Sequence, residues 1–255
     1  MSPVLQDKVA IITGASRGMG KAFALRFAEE GARLLLTTTN LKRAQGTINE
    51  VKAKGGEVAI MEADISYEDS TKKIAEKVME QYGRVDILVN NAAIWYGVSA
   101  KPWDAWTVAE WDRMFTVNVR GTWLVCKAVA PLMIKQSSGK IINITSDVFK
   151  SPDSQFFVPY ALTKSAIYTL THSLAAALGP SGINVNAIAP GYTATEASLG
   201  QEGSEQLFES VVAAQLIKRR EEPEDVVGAA VFLASKDSDL ITGQIILING
   251  GHIML

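Results

Sequence analysis

The stretch that decides the fold is residues 9–20, VAIITGASRGMG. Its first four residues are apolar and predict a buried strand, and glycines at positions 14, 18 and 20 follow at once. A helix then carries Phe23, Phe27 and Ala28 on one side and ends at Gly31. Such glycines allow a tight turn and bring a pyrophosphate close to the amides at the helix start. The stretch therefore predicts a dinucleotide-binding strand, turn and helix.

Strands and helices alternate along the rest of the chain. They predict one α/β domain over residues 1–255, a doubly wound parallel sheet of the Rossmann type with helices on both faces. Further strands are predicted at 32–37, 58–61, 86–89, 140–145, 183–188 and 245–248. Helices are predicted at 42–54, 67–82 and 223–234, with another from Val108 onward. No repeat, linker or low-complexity segment divides the chain.

The composition limits the classes of partner. The chain has 255 residues, of which 47% are hydrophobic and 20% charged, enough to bury a full sheet between helices. Its net charge of -2 gives no sign of the basic face that nucleic acid or an anionic membrane requires. We therefore expect neither nucleic acid nor membrane as a partner.

The cysteine and histidine content points to the compartment and to the kind of site. Cys126 is the single cysteine and lies in an apolar helical stretch, which predicts a core residue and a reducing compartment. Residues 1–8 are short and polar, so we expect no secretory signal and a cytoplasmic protein. With His172 and His252 as the only histidines, and no cysteine or carboxylate cluster at ligand spacing, we expect no metal site.

Tyr160 and Lys164 form a second region of interest. The apolar residues around them have helical spacing, so two side chains four residues apart share one face. A nearby ammonium lowers the pKa of a phenol, ordinarily about 10, toward the range useful for proton transfer. A surface pair on an amphipathic helix is the other interpretation. Ser146 follows the strand at 140–145, at the sheet edge where α/β proteins bind ligands.

Ser146, Tyr160 and Lys164, together with the glycine spacing, resemble the short-chain dehydrogenase/reductase family, and the resemblance covers nearly the whole chain. It implies an NAD(P)-dependent alcohol dehydrogenase or ketoreductase in which Ser146 binds the substrate oxygen and Tyr160 exchanges its proton. Lys164 would lower the pKa of Tyr160 and bind the nicotinamide ribose, and Asn118 would link Lys164 to water. The interval between Ser146 and Tyr160 is one residue longer than usual, so either Thr145 or Ser146 presents the hydroxyl.

The same resemblance assigns the cofactor contacts. They are Gly14, Ser16, Arg17, Gly18, Met19, Gly20, Thr39, Asp64, Ile65, Asn91, Tyr160, Lys164, Pro190, Gly191, Thr193 and Thr195. Asp64 and Ile65 are implied to meet the adenine, and Thr193 the nicotinamide carboxamide. On sequence alone, Asp64 is equally a helix cap.

The end of the second strand bears on the choice of cofactor. No acid stands there to hold the ribose and repel a 2′-phosphate, and Arg17 and Thr39 lie where NADP-dependent relatives hold that phosphate. We therefore expect NADP(H) to be preferred, although a threonine-lined pocket still admits NAD(H). Lys42 and Arg43 either add positive potential or are solvated helix charges.

Two segments are candidates for contact with the substrate. Residues 192–218 have the position of the family's variable substrate lid. The segment at 95–111 holds Trp95, Trp103, Trp106 and Trp111, which either line a pocket or pack a helix or an interface. We expect a small, rather apolar secondary alcohol or ketone, with an aromatic one included.

Two alternatives to this activity remain. A 3-oxoacyl carrier-protein reductase would dock an acidic partner and call for a basic surface, but residues 173–178 on the tyrosine helix are neutral. A non-catalytic nucleotide-binding sensor or scaffold on the same fold is the alternative of another class.

The resemblance also implies a homotetramer. The helices around 118–133 and 160–178 would pair between subunits, and residues 250–255 would lie near another interface. A monomer that buries these helix faces against its own sheet is the alternative.

Overall fold

The computed structural model describes residues 3–254 of the chain. Its strands are β1 (Val9–Ile12), β2 (Arg33–Thr38), β3 (Val58–Glu62), β4 (Ile87–Asn90), β5 (Gly139–Ile144), β6 (Ile183–Pro190) and β7 (Ile245–Ile248). They form a parallel sheet in the order β3-β2-β1-β4-β5-β6-β7. The strand order reverses between β1 and β4, and in such sheets this is where a crevice for ligands opens at the carboxyl ends.

The helices follow the strands in the alternation that the sequence predicts. They are α1 (Gly18–Glu29), α2 (Leu41–Ala53), α3 (Glu68–Tyr82), α4 (Val108–Met114), α5 (Thr122–Gln136), α6 (Val158–Leu178), α7 (Glu196–Leu199), α8 (Ser204–Ala214) and α9 (Pro223–Ala234). A π-helical segment, Phe115–Gly121, joins α4 to α5. The predicted element boundaries differ from these by one or two residues, chiefly because β6 continues to Pro190.

Helices cover both faces of the sheet. On one face, Phe23 and Phe27 of α1 pack with Val226 of α9 in a buried apolar cluster. On the other, Ile74 of α3 and Val125 of α5 belong to a second cluster with residues of α6. Every residue of β1 is buried because it lies between these layers. The predicted doubly wound parallel sheet is confirmed.

Candidate active site

The turn between β1 and α1 is closed tightly enough to require glycine. Gly14 and Gly18 have positive φ angles of 67° and 53°. A Cβ on Gly20 would lie 2.3 Å from the carbonyl oxygen of Gly14. No side chain caps α1 at Arg17, so the amides of its first turn face the turn without a side-chain acceptor from the N-cap. This cradle fits a pyrophosphate group.

Asn91 fixes the shape of this turn. Its Nδ2 donates hydrogen bonds to the carbonyl oxygens of Thr13 at 2.9 Å and Gly14 at 3.1 Å. The Asn91 side chain therefore stabilises the glycine turn, and in this way it supports the predicted cofactor site. 

A cavity of about 410 Å³, here called the nucleotide cavity, opens beside the turn. It brings together seven of the predicted cofactor contacts: Gly14, Ser16, Arg17, Thr39, Asp64, Ile65 and Asn91. Arg43 and Arg113 also line it, whereas Lys42 is not among its lining residues. Arg113 lies on α4, and no motif marks it in the sequence.

Two residues of the nucleotide cavity already have partners within the chain. The guanidinium carbon of Arg17 lies 4.0 Å from the centroid of the Tyr96 ring, a cation–π arrangement. Oδ1 of Asp64 accepts hydrogen bonds from the amide of Ser66 at 2.9 Å and from its hydroxyl at 2.7 Å. Asp64 therefore both lines the cavity and stabilises the turn that leads into α3.

Tyr160 and Lys164 lie on the inner side of α6 and not on the surface. Their exposed fractions are 9% and 4%, which rules out a solvated surface pair. Nζ of Lys164 lies 5.5 Å from the centroid of the Tyr160 ring and donates a hydrogen bond to the carbonyl oxygen of Ile144 at 2.9 Å. The lysine is thus anchored on the last residue of β5.

The expected lowering of the Tyr160 pKa is wrong for the chain by itself. Burial raises the pKa of the Tyr160 phenol, the negative charge of Asp147 raises it further, and the nearby Ser146 hydroxyl acts in the opposite direction. Burial also lowers the pKa of Lys164 to about 8. Burial removes water from both the phenolate and the Lys164 ammonium, which is held by a backbone carbonyl. The free energy that the phenolate loses with its hydration exceeds what it regains by attraction to that ammonium.

The structure separates the roles of Thr145 and Ser146. The Thr145 hydroxyl donates a 2.7 Å hydrogen bond to the carbonyl oxygen of Lys164. The Ser146 hydroxyl makes only long contacts, accepting from the amide of Val148 at 3.3 Å and donating to the carbonyl of Pro190 at 3.4 Å. Of the two hydroxyls, that of Ser146 is the easier one to redirect toward a substrate.

Asn118 lies in the π-helical segment, so the helix is locally distorted at this residue. Its Oδ1 accepts from the amide of Ile94 at 2.7 Å, and its Nδ2 donates to the Thr163 hydroxyl at 3.2 Å. Asn118 therefore ties the loop after β4 to α6. Within residues 3–254 it makes no direct hydrogen bond to Lys164.

A second cavity of about 110 Å³, here called the substrate cavity, lies over Tyr160. Its lining residues are Met19, Trp95, Thr145, Ser146, Asp147, Val148, Ser151, Asp153, Phe157, Tyr160, Pro190, Gly191, Tyr192, Thr193, Thr195, Ser198, Leu207, Val211 and His252. The ring centroid of Trp95 lies 4.5 Å from that of Tyr160. The catalytic candidates Ser146 and Tyr160 thus open into a space with an aromatic wall.

The tryptophan-rich segment serves both of the purposes that the sequence left open. Trp95 lines the substrate cavity. Trp106 packs against the apolar cluster beneath it, and Trp111 stacks on Phe115 at 5.2 Å. Trp103 is 75% exposed.

Comparison with known proteins agrees with this geometry. A family model described as enoyl-(acyl carrier protein) reductase matches residues 14–252. Over 248 residues the chain is 34% identical to (2S)-[(R)-hydroxy(phenyl)methyl]succinyl-CoA dehydrogenase subunit BbsD of Thauera aromatica, covering 97% of each chain. Over 251 residues it is 35% identical to the 3-oxoacyl-[acyl-carrier-protein] reductase FabG of Staphylococcus epidermidis, covering 97% of this chain and 100% of the relative.

A solved structure, that of levodione reductase, covers 96% of this chain and 97% of its own, with a TM-score of 0.91 and 30% identity. The chain belongs to the short-chain dehydrogenase/reductase family. The predicted family is therefore confirmed, and the protein is an oxidoreductase of this type. NAD(P)(H) is the cofactor that the family uses.

In this short-chain dehydrogenase/reductase, the end of β6 and the segment after it form part of the substrate cavity. Pro190, Gly191, Thr193 and Thr195 all line it. Oε1 of Glu221 accepts a 2.7 Å hydrogen bond from the Thr193 hydroxyl, and its Oε2 accepts from the amide of Gly191 at 3.1 Å. Burial raises the pKa of Glu221 to about 7.

Sequence reasoning missed Glu221, because its neighbours in the chain are charged and solvent-exposed and nothing distinguishes it from them.

Two further contacts near this segment were also not predicted. Oε2 of Glu196, in α7, accepts a 3.0 Å hydrogen bond from the amide of Gly18 at the start of α1. Oδ2 of Asp147 lies 3.2 Å from Nδ1 of His252, which the sequence suggested only as a poor metal ligand. Both pairs join residues more than 100 positions apart in the chain, so no local pattern could reveal them.

Two properties of residues 3–254 bear on other classes of function. In this part of the chain no helix is long and apolar enough to cross a membrane. Nor does it contain a group of three or more His, Cys, Asp or Glu side chains placed to hold a metal ion.

Proposed function

We propose that this protein transfers a hydride between NADP(H) and a small, rather apolar ketone or secondary alcohol, aromatic ones included. The observation that carries the proposal is the substrate cavity, where Tyr160 meets a wall formed by Trp95, Phe157 and Tyr192. Its volume of about 110 Å³ is of the same order as the ~150 Å³ apolar cavity that binds benzene in another protein.

The names of two relatives support this substrate class. BbsD is named as the dehydrogenase of a compound with a hydroxy(phenyl)methyl group, which is a secondary alcohol next to an aromatic ring. Levodione reductase is named for the reduction of a dione. 

The site residues would share the work of proton transfer. Bound nicotinamide supplies or accepts the hydride at the substrate carbon. Tyr160 donates its phenolic proton to the substrate oxygen in the reductive direction, and Ser146 hydrogen-bonds the same oxygen. Lys164, whose pKa is lowered to about 8, keeps a positive charge near the phenol at neutral pH and binds the nicotinamide ribose. Asn118 positions the loop at Ile94 against α6.

The nucleotide cavity supports the choice of NADP(H) over NAD(H). Arg17, Arg43 and Arg113 all line it. Thr38 and Thr39 stand where an acid would repel a 2′-phosphate. The glycine turn at residues 14–20 would hold the pyrophosphate, Asp64 and Ile65 the adenine, and Thr193 and Thr195 the nicotinamide side.

Residues 192–218 are proposed as the substrate lid. They contain the short helices α7 and α8, and Leu207 and Val211 of α8 reach the substrate cavity. The lid would close the single domain proposed for residues 1–255 over its substrate.

A 3-oxoacyl carrier-protein reductase is the second candidate, favoured by the 35% identity to the Staphylococcus epidermidis FabG. The test of both candidates is oxidation of NADPH and NADH, followed by absorbance, with acetophenone, cyclohexanone and a 3-oxoacyl carrier-protein thioester. Turnover of the simple ketones supports the proposal, and turnover of the thioester alone supports the second candidate. Cofactor binding without any turnover contradicts both and favours a non-catalytic sensor.

We also propose a homotetramer. Trp123 and Ile134 on α5 and Leu162 on α6 are each more than 40% exposed in the monomer, and these are the helices expected to pair. Of the expected C-terminal interface at 250–255, Leu255 lies outside the described residues. Light scattering that shows a monomer at micromolar concentration would refute the assembly. The cytoplasmic location stays a prediction.

A further inference from the structure

The substrate cavity has one polar corner in an otherwise largely apolar wall. Asp147 and His252 meet there, beside Ser146, the residue proposed to hold the substrate oxygen. Asp147 is only 5% exposed. A buried carboxylate is costly unless hydrogen bonds compensate for the lost hydration, so its partners decide what it is for.

The hydrogen bonds of Asp147 are unevenly distributed between its two oxygens. Oδ2 accepts from Nδ2 of Asn249 at 3.1 Å and lies 3.2 Å from Nδ1 of His252. Oδ1 has no hydrogen-bond partner within residues 3–254, although a carboxylate oxygen accepts about two hydrogen bonds. Asp147 therefore brings an unfilled acceptor to the wall of the substrate cavity.

The position of Asp147 is fixed from two sides. It follows Ser146 directly and begins a short 3₁₀ turn, Asp147–Phe149, at the end of β5. From the other side, Asn249 is itself held because its Oδ1 accepts from the amide of Gly251 at 3.1 Å and its Nδ2 donates to the carbonyl of Ile253 at 2.9 Å. The segment after β7 thus holds one oxygen of Asp147 and leaves the other free.

The charge of this corner restricts what it can bind. Asp153, half-buried, lines the same cavity, so its wall carries two carboxylates, one of which contacts the imidazole of His252. An anionic substituent would be repelled, whereas a hydroxyl or an ammonium group would satisfy the free acceptor.

We propose that Oδ1 of Asp147 accepts a hydrogen bond from a hydroxyl or ammonium group that the substrate carries next to its reacting carbon. This inference rests on the proposed ketone reduction and names its substrate class: α-hydroxy or α-amino ketones with an apolar remainder, and the corresponding alcohols. Because Asp147 adjoins Ser146 in the chain, a donor one carbon away from the carbonyl group is within its neighbourhood. Keto acids are disfavoured.

The test compares three ketones that share one ring: acetophenone, α-hydroxyacetophenone and α-methoxyacetophenone. The methoxy compound has nearly the size and polarity of the hydroxy compound but no donor. A hydrogen bond to a charged group contributes about 1.5 to 3 kcal/mol, or roughly 10- to 150-fold in kcat/KM at about 1.4 kcal/mol per decade. The wild-type protein should therefore prefer the hydroxy over the methoxy ketone by at least about tenfold.

Asp147→Asn should remove most of this preference, since the amide of similar shape has no charge. The ratio of the two kcat/KM values cancels any loss that both ketones share, including partial misfolding. Asp153→Asn is the matched variant, because it removes the other carboxylate of the cavity. Asp147→Asn should also improve the rate with benzoylacetate, an anionic ketone of similar size.

Three results would overturn the inference. They are equal wild-type kcat/KM for the hydroxy and methoxy ketones, an unchanged ratio in Asp147→Asn, and loss of the ratio in Asp153→Asn instead. If Asp147→Asn does not fold, the wild-type ratio alone decides. Turnover of acetophenone without a hydroxy preference rejects only this inference. Absence of turnover with all ketones and both cofactors rejects the proposed function, and the inference with it.

Discussion

The nucleotide cavity and the substrate cavity are built in different ways. The nucleotide cavity has a volume of about 410 Å³ and is formed largely by loops at the ends of β1 to β4. The substrate cavity of about 110 Å³ is formed by side chains from residues 145–160 and 190–211, together with Met19, Trp95 and His252. The first depends on backbone shape and the second on which side chains the fold brings together.

The cavities also differ in charge. Three arginines, Arg17, Arg43 and Arg113, and one acid, Asp64, line the nucleotide cavity, whereas two acids, Asp147 and Asp153, line the substrate cavity. This difference suits an anionic cofactor on one side and a neutral or cationic substrate on the other. The segment at Gly191–Thr193, held by Glu221, lines the substrate cavity.

Tyr160→Phe should have the largest effect, and it should separate turnover in the substrate cavity from binding in the nucleotide cavity. The substitution removes the proposed proton donor and little volume, so turnover should fall by about 10²- to 10⁴-fold. Cofactor affinity should stay nearly unchanged because the nucleotide cavity does not contain the phenol. Steady-state rates and calorimetric titration of the cofactor measure the two quantities.

The control for this prediction is Tyr168→Phe, at a tyrosine on the same helix that packs against Phe149 and His172 outside both cavities. A Tyr160→Phe variant that keeps more than about a tenth of the wild-type rate would mean that another group donates the proton.

The difference between the cavities explains what the sequence could predict. The glycine turn, the strand ends and the tyrosine helix are local patterns, and most of the residues that they mark line one or the other cavity. No sequence pattern marks Asp147, and the sequence raises His252 only as a possible metal ligand. Their contact depends on how the C-terminal segment returns to the end of β5, which no local periodicity encodes. The raised pKa of Tyr160 likewise depends on burial, which only tertiary packing determines.

Glu221→Gln tests the raised pKa of Glu221, the buried acid that holds Gly191 and Thr193, through the pH dependence of stability. Burial, with smaller contributions from Asp147 and Asp225, raises the pKa of Glu221 from 4.5 to about 7. The native carboxyl keeps its proton up to about pH 7, whereas the unfolded one loses it near 4.5. The contribution of Glu221 to the unfolding free energy is therefore full below pH 4.5 and lost as the pH rises through 7.

Glutamine cannot ionise, so the variant should gain stability relative to the wild type as the pH rises, by up to about 3 kcal/mol. Denaturant titrations at several pH values between about 5 and 7.5 measure the gain, a range that stays below the pKa of about 8 of Lys164. Glu224→Gln, at an exposed position in the first turn of α9, which begins two residues after Glu221, is the control. A stability difference that does not change with pH would contradict the raised pKa.

Arg17→Ala tests whether the positive charge of the nucleotide cavity selects the cofactor. If Arg17 reads the 2′-phosphate, its loss should lower the ratio of kcat/KM for NADPH to that for NADH by about 10- to 150-fold, the range of a charged hydrogen bond. Lys42→Ala is the matched control, because Lys42 begins α2 beside Arg43 but does not line the nucleotide cavity. Equal weakening of both cofactors would show that Arg17, which stacks on Tyr96, supports the site without reading the phosphate.

Glu196→Gln should have the smallest effect. It changes the contact between the proposed lid and Gly18 of the glycine turn. The Glu196 carboxylate accepts a hydrogen bond from the Gly18 amide, the kind of group that a pyrophosphate binds at a helix start. Two anions cannot share this amide, so the cofactor has to displace the carboxylate. An exposed acid at a helix N-terminus contributes about 0.3 to 1 kcal/mol.

Removing the competing charge should therefore tighten cofactor binding by roughly two- to fivefold, since about 1.4 kcal/mol corresponds to a decade in affinity. The gain should shrink at high salt because the charge is exposed to solvent. Glu202→Gln, an exposed acid in the same lid without a contact to Gly18, should leave the affinity unchanged. Weaker binding in Glu196→Gln would show that the carboxylate helps to hold the cofactor. In that case Glu196 would be a second acid, after Asp64, on the nucleotide side, and the positive character of that side would not extend to the proposed lid.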